Sequence, residues 1–322
     1  MDIRNKVFSL LEPLWSDVDR AGTFPAKRPL LAHYTSIETL ERIVANNELW
    51  LSNPLFMNDI EELRFGILEG RWAFVNNEAV KGATGTAFRH KVLRDSFEAC
   101  FHQFNTRHAF DVYVFCFSEH EPSDSDGLLS MWRGYGGNGN GAAIVLNTAK
   151  FDALGNSPII LANVHYGSAE KRRQWVDSKM VQFATLVKEA QLGDDELPAA
   201  AEALFERIKL FALFTKHSGF SEEKEWRMVY LRERDAAKAL DSMLGYSVGR
   251  NGVEPRLKLK IEPIEGVTAN ELSLDHVIDR IILGPTVSNP AARFGIQRML
   301  ESHNRHSLAG RVAASTTPFR PR

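Results

Sequence analysis

Two carboxylates and a guanidinium recur at alternate positions in Ser221-Glu222-Glu223-Lys224-Glu225-Trp226-Arg227-Met228-Val229-Tyr230. As a strand of period two, the stretch sets Glu223, Glu225 and Arg227 on one face and Trp226, Met228 and Tyr230 on the other. Neighbouring carboxylates over an apolar backing suit a reactive site. One chemistry open to them is magnesium binding in a metal-dependent hydrolase or nuclease, with His33, Asp59 and Glu61 joining Glu225 as ligands. No His-x-x-x-His or comparable ligand cluster accompanies them, so the spacing lends that reading little support and no metal site is assigned. Two plainer readings stand beside it. The stretch is a half-buried antiparallel strand whose charged face meets water, or its polar residues belong to an internal network in a non-catalytic sensor or interaction module.

The elements that must position these residues follow from periodicity and turn chemistry. Residues 3–19 are apolar at helical spacing, which predicts a capping helix, and Gly22 to Pro29 read as a linker. Leu31 to Thr35 form a short strand, Thr35 and Glu38 a capping box, and Ile37, Leu40, Ile43 and Val44 the inward side of a helix ended by Asn46-Asn47. A second strand, Leu49 to Ser52, leads to a loop or helix start carrying Asn58, Asp59, Glu61 and Glu62. Residues 60–104 read as helical with a break at Lys81 to Gly85. Val112 to Ser118 is apolar on both faces, a buried strand. A charged, flexible loop from Glu119 to Gly127 precedes a helical turn with Trp132 and Tyr135.

Gly134, Gly136 and Gly139 match G-x-G-x-x-G, but the dinucleotide fingerprint needs a strand before it and a helix after it. A strand, Ala142 to Leu146, follows instead, which makes the glycines a tight turn. Beyond Val164 to Tyr166, a short strand, two long helices are expected over 175–191 and 198–214. Lys216 then leads into the Glu-x-Glu strand. Residues 248–252 give a loop or hairpin signal, Arg256 to Ile261 an edge strand, and the end reads strand, helix, strand over 277–314.

Composition narrows the class. The chain has 322 residues, 44% apolar and 25% charged, with a formal net charge of -2. It is long enough for a large core and lacks a global basic field for nucleic acid. No run approaches the ~18 apolar residues of a membrane span, and the first residues lack the apolar centre of a signal peptide. With only Cys100 and Cys116 there is no disulfide framework. The expectation is a cytoplasmic protein with no membrane partner. The fold class expected is α+β, a central mixed or antiparallel sheet flanked by helices. Residues 1–30 are a helical extension, and 31–322 a single domain with a helical insertion at about 167–215. Leu31–Thr35, Val112–Ser118 and Trp226–Tyr230 are expected in one sheet, with His33, Ser118 and Glu225 converging on one cleft.

Four separated motifs also resemble, in order and spacing, a bacterial family called domain of unknown function 2971. They are Leu31-Ala32-His33-Tyr34-Thr35-Ser36; Met57-Asn58-Asp59-Ile60-Glu61-Glu62; Phe115-Cys116-Phe117-Ser118 with Met131-Trp132-Arg133-Gly134-Tyr135; and Glu223-Lys224-Glu225-Trp226-Arg227. The resemblance spans about residues 31–285 and says nothing about chemistry.

More distantly the order is similar to that of ADP-ribosyltransferases, which implies a core of that type and NAD as substrate. Cleaving the nicotinamide-ribose bond passes through an oxocarbenium-like state that a nearby carboxylate stabilises. The resemblance makes Glu225 the catalytic carboxylate, with Glu223 activating the acceptor. His33, Tyr34, Thr35, Ser118, Trp132, Tyr135 and Arg227 would hold the dinucleotide, and His33 also serves catalysis. Asn58, Asp59, Glu61 and Lys216 are further candidates. The acceptor, a protein or a nucleic acid, is left open, and a role as a toxin or phage-defence effector is suggested only by the kind of chemistry.

Overall fold

The computed structural model describes residues 2–18, 29–57, 60–151, 157–249, 252–268 and 270–319. Most of the expected linker, and Asn58 and Asp59, lie outside them. In chain order the first elements are α1 (Ile3–Leu10), β1 (Leu30–Ser36), α2 (Ile37–Asn46), β2 (Glu48–Ser52), α3 (Ile60–Asn76), α4 (Glu78–Ala83) and α5 (Ala87–Thr106). Next come β3 (Val112–His120), α6 (Leu129–Gly134), β4 (Gly141–Asn147), β5 (Ile159–Asn163), β6 (His165–Gly167), α7 (Ala169–Ala190), α8 (Leu197–Leu213) and β7 (Thr215–His217). The last are β8 (Glu225–Leu231), β9 (Leu244–Gly249), β10 (Gly252–Lys260), α9 (Leu274–Val277), β11 (Ile278–Leu283), α10 (Pro290–Ser302), α11 (His306–Ala309) and β12 (Val312–Ala314).

Contacts divide the chain into two compact units, one of residues 1–20, 54–111 and 164–220, the other of 21–53, 112–163 and 221–322. The expected 167–215 insertion therefore groups with 54–111 and with the N-terminal helix.

The first unit is helical. Its centre is α8, whose Leu204, Phe205, Ile208 and Phe211 are buried. α3 lies so close that a Cβ on Gly66 would stand 2.5 Å from the Ala212 Cβ, and one on Gly70 2.4 Å from an Ile208 methyl. Asp17 fastens the N-terminal segment, accepting from Trp175 Nε1 at 2.7 Å, Lys179 Nζ at 2.8 Å and Arg207 at 2.9 Å. Burial alone would raise its pKa, but these partners, Lys179 first, outweigh it and hold the carboxyl at about 2.

The second unit holds a mostly antiparallel sheet flanked by helices. Its strand order is β12-β11-β4-β1-β3-β2-β10-β9, with β8 on the other edge of β3 and β5 beyond β8. The three strands expected in one sheet are β1, β3 and β8, and they are adjacent. Ser36, not Thr35, caps α2, accepting from the Thr39 N–H at 3.0 Å, because the strand runs one residue further than its apolar pattern. Asn47, with φ 59°, ends that helix in the left-handed conformation. Gly137, Asn138 and Gly139 all take positive φ before β4, the tight turn that the following strand implied. One sheet face carries Leu31, Phe115, Phe117, Ile144 and Trp226 and is covered by α2, α10 and α11. The opposite face carries Ala32, Tyr34, Ala143 and Val145 and meets Met131 and Trp132 of α6.

Two strands differ from expectation. β10 is no edge, since it pairs with β2 over 256–260 and with β9 along its other side. β8 is buried at every position from Glu225 to Leu231, so its charged face does not meet water.

Candidate functional site

The chain enters β8 through a short 3-10 turn, Ser218–Glu223, and Lys224 at φ 43°. That left-handed step ends the period-two reading before Glu223, which precedes the strand instead of lying on it. Ser118 fastens the junction, its hydroxyl donating to the Glu223 carbonyl at 2.6 Å, and the Glu119 N–H donates to the Lys224 carbonyl at 2.9 Å. In register, Ala32 lies opposite Ser118 and Ser118 opposite Glu225. Directly opposed antiparallel residues share a face. Ser118, Glu225 and Arg227 therefore belong to the face of Tyr34 and α6.

The two carboxylates differ in environment. Glu225 is 4% exposed, and Arg227 holds it with two hydrogen bonds, Nε to Oε1 at 2.7 Å and Nη2 to Oε2 at 3.1 Å. This planar, forked pairing uses the geometry in which a guanidinium binds a carboxylate most strongly. Arg227 thus faces a carboxylate. Glu223 is partly exposed, and its Oε1 accepts from the Tyr135 hydroxyl at 3.2 Å. Tyr135 is 45% exposed. Of the pair, Glu223 is the carboxylate a ligand can reach.

His33 does not join them. Strand parity puts it on the other face of the sheet, its ring 4.0 Å from that of Phe115. β1 pairs with β3 only over Leu30 to Ala32, and β2 next meets β3 at Val114. His33 Nδ1 lies 3.0 Å from the Cys116 carbonyl oxygen inside that gap. A carbonyl only accepts, so Nδ1 carries the proton and the imidazole takes the place of a strand neighbour. The expected convergence of His33, Ser118 and Glu225 on one cleft is corrected by this opposition of faces.

Burial lowers the His33 pKa to about 4, against the opposing hydrogen bond to Cys116. Because the folded value lies below the unfolded one, the contribution is complete above about pH 6.5 and is lost as pH falls towards 4. We expect His33→Gln to flatten that part of the stability-pH curve, by on the order of 2 kcal/mol. Urea titrations at pH 7 and pH 4.5 measure this, and an equal loss in both proteins would remove His33 as the cause.

Tyr34 and Trp132 serve the core. Tyr34 is 5% exposed, its hydroxyl accepts from the Leu128 N–H at 2.9 Å, and its ring meets Trp132 edge-on at 4.8 Å. Burial raises its pKa to about 12. Trp132 is fully buried and donates to the Asp126 carbonyl at 2.8 Å. Neither ring is open for stacking, and Thr35 is buried as well. Gly127, at φ 75°, has no room for a side chain, since a Cβ there would stand 2.7 Å from the Tyr34 hydroxyl.

The remaining candidates belong to the helical unit. Asn58 and Asp59 lie outside the described residues, and Glu61 is placed in α3 by its backbone alone. Lys216 is 1% exposed, with Nζ 4.8 Å from the Phe220 ring centre. Among the described residues no group of three His, Cys, Asp or Glu side chains is placed to hold a metal ion. No described helix is long and apolar enough to cross a membrane.

Two acids that shape this face escaped the sequence reading. Asp124 accepts from the N–H groups of Asp126 and Gly127 at 2.8 and 2.9 Å, and Asp126 accepts from the hydroxyls of Ser315 and Thr316 at 3.3 and 3.0 Å. The loop taken as flexible is thereby tied down between 124 and 127. Asp-x-Asp-Gly was the available signal, since Asp commonly closes such turns on following N–H groups.

Residues 131–228 match a family model described as "Protein of unknown function (DUF2971)". The match supports that family, and its span runs from α6 into β8. No curated protein and no solved structure matches the chain.

Proposed function

We propose that the protein is an ADP-ribosyltransferase-like enzyme that cleaves the nicotinamide-ribose bond of NAD, with Glu223 as the reacting carboxylate. The observation that carries this reading is the accessible Glu223–Tyr135 pair, set beside the buried Ser118, Glu225 and Arg227 row. The glycosidic C–N bond breaks, nicotinamide leaves with the electron pair, and positive charge develops on the ribose. A carboxylate on that side stabilises the charge, and the phenol of Tyr135 orients it. An acceptor nucleophile, or water, then bonds to the ribose carbon and gives up its proton.

In this reading the roles first expected of the two glutamates are exchanged. Glu225 is buried in its ion pair and positions the strand, whereas Glu223 reaches solvent. The role expected of His33 in holding the cofactor passes to the strengthening of the β1–β3 gap.

A second reading is favoured by the forked Glu225–Arg227 pair and the backbone-satisfied Tyr34 and Trp132. These are the marks of a polar network that fixes a fold, as in a non-catalytic sensor or interaction module.

The deciding experiment incubates the wild-type protein with NAD and cell extract as an acceptor source and measures free nicotinamide. Release is expected, along with a rise in melting temperature equivalent to ~2.7 kcal/mol at a hundred times the dissociation constant. No release and no shift would replace the enzyme with the module. A shift from magnesium or manganese alone would favour the hydrolase.

A further inference from the structure

We propose that β9 is the pairing edge of a symmetric homodimer, in which the β9 strands of two copies join antiparallel and continue the sheet. β9 is the last strand of its sheet, and among the described residues β10 is its only strand partner. Its free edge presents backbone N–H and C=O groups to any strand that can lie against it. Natural edges are usually guarded by Lys, Pro, a bulge or short length. The opposite end of the sheet follows the rule, for β12 has only three residues. β9 does not: its six residues, Leu-Gly-Tyr-Ser-Val-Gly, include neither charge nor proline.

The hairpin also carries an apolar face. Val253 lies opposite Val248 and Pro255 opposite Tyr246, so these four side chains share one side. Tyr246 is 66% exposed, Val248 82% and Val253 58%. The other side is polar, with Arg256 donating to Ser247 Oγ at 3.1 Å and paired with Glu254 at 2.5 Å. This half of the hairpin reaches beyond β2, which stops at the partner of Arg256. An uncovered arm of this kind, open at its edge and apolar on one face, is a template for association.

Self-pairing fits it for two reasons. An uncharged strand meets its own copy without like charges opposing one another. A two-fold axis normal to the sheet, moreover, keeps each residue on its original face. In the register centred on Tyr246, that residue meets its own counterpart and Val248 meets Leu244 of the second copy, which prolongs the apolar face across the junction. The contact is small, in the class below ~1,200 Å² that gives weak, exchanging complexes. A dissociation constant in the micromolar range is therefore expected, on the order of -8 kcal/mol.

Sedimentation velocity of the full chain, over about two decades of concentration spanning the micromolar range, tests this beside Val248→Lys and Tyr246→Lys. The wild type should pass from monomer to dimer, and each lysine should raise the dissociation constant by about tenfold or more. Both side chains are exposed, so the melting temperatures should stay together. Hydrogen exchange supplies the structural readout: β9 amides in the wild type should slow as concentration rises, and those in the lysine variants should not. A wild type that remains monomeric overturns the proposal and leaves the edge to a different partner. A dimer that survives both substitutions, or one that forms without protecting β9, overturns it too.

Discussion

Glu223→Gln should fold as the wild type does and lose nicotinamide release by about 10²–10³-fold, the usual cost of removing one preorganised electrostatic group at a reacting centre. The side chain is partly exposed, and its Oε1 takes a hydrogen bond from the Tyr135 hydroxyl that a glutamine carbonyl can still accept. The negative charge disappears. Tyr135→Phe removes the donor and leaves the charge, so it should cost less. Single-turnover release with saturating NAD reads the chemical step, and circular dichroism checks the fold. If Glu223→Gln turns over at the wild-type rate, Glu223 does not stabilise the developing cation.

Glu225→Gln should behave in the opposite way. The amide keeps the shape but cannot neutralise Arg227, which is 5% exposed. Removing one partner of a buried pair typically costs about 3–5 kcal/mol, because the surviving buried charge loses that partner's compensation. Urea denaturation should show a lowered midpoint with an unchanged slope. Replacing both residues together, for example Glu225→Gln with Arg227→Met, should recover much of the loss, since paired replacement of buried ions is often close to neutral. A single variant as stable as the wild type would mean that the pair is not desolvated as its geometry implies. Because one change acts on rate and the other on stability, the two experiments separate a reacting carboxylate from a positioning one.

The sequence revealed the elements better than the faces they present. β1, α2 and β2 were legible because capping residues and two distinct periods mark their limits, and β3 because it is apolar throughout. The burial of β8 was hidden, since a charged strand face normally signals water and only the forked pairing of Glu225 with Arg227 makes it an interior one. The side on which His33 lies depends on the pairing of Ala32 with Ser118, and parity within one strand does not relate it to another strand. β10 read as an edge because its alternation is that of an edge, while its partner β2 lies some two hundred residues earlier. The grouping of residues 54–111 with α7 and α8 had no signal either. Such packing joins surfaces that are remote in sequence, as in the fit of Ala212 against Gly66.

The strand order also constrains how the protein is made. β2 has β10 as its long neighbour, β4 has β11, and β11 has β12, so the sheet joins residues 48–52 to 256–260 and 278–283 to 312–314. The first strands leave the ribosome long before these neighbours exist. At ~5–20 residues per second, β2 waits on the order of ten seconds or more for β10. Pairings this distant close slowly even in a finished chain, because the entropy of a long loop is lost before its contacts form. During synthesis the apolar strands β1 and β3 are thus exposed without a complete sheet. Chaperone dependence, with aggregation of chains arrested before β10, is the cellular signature this topology implies.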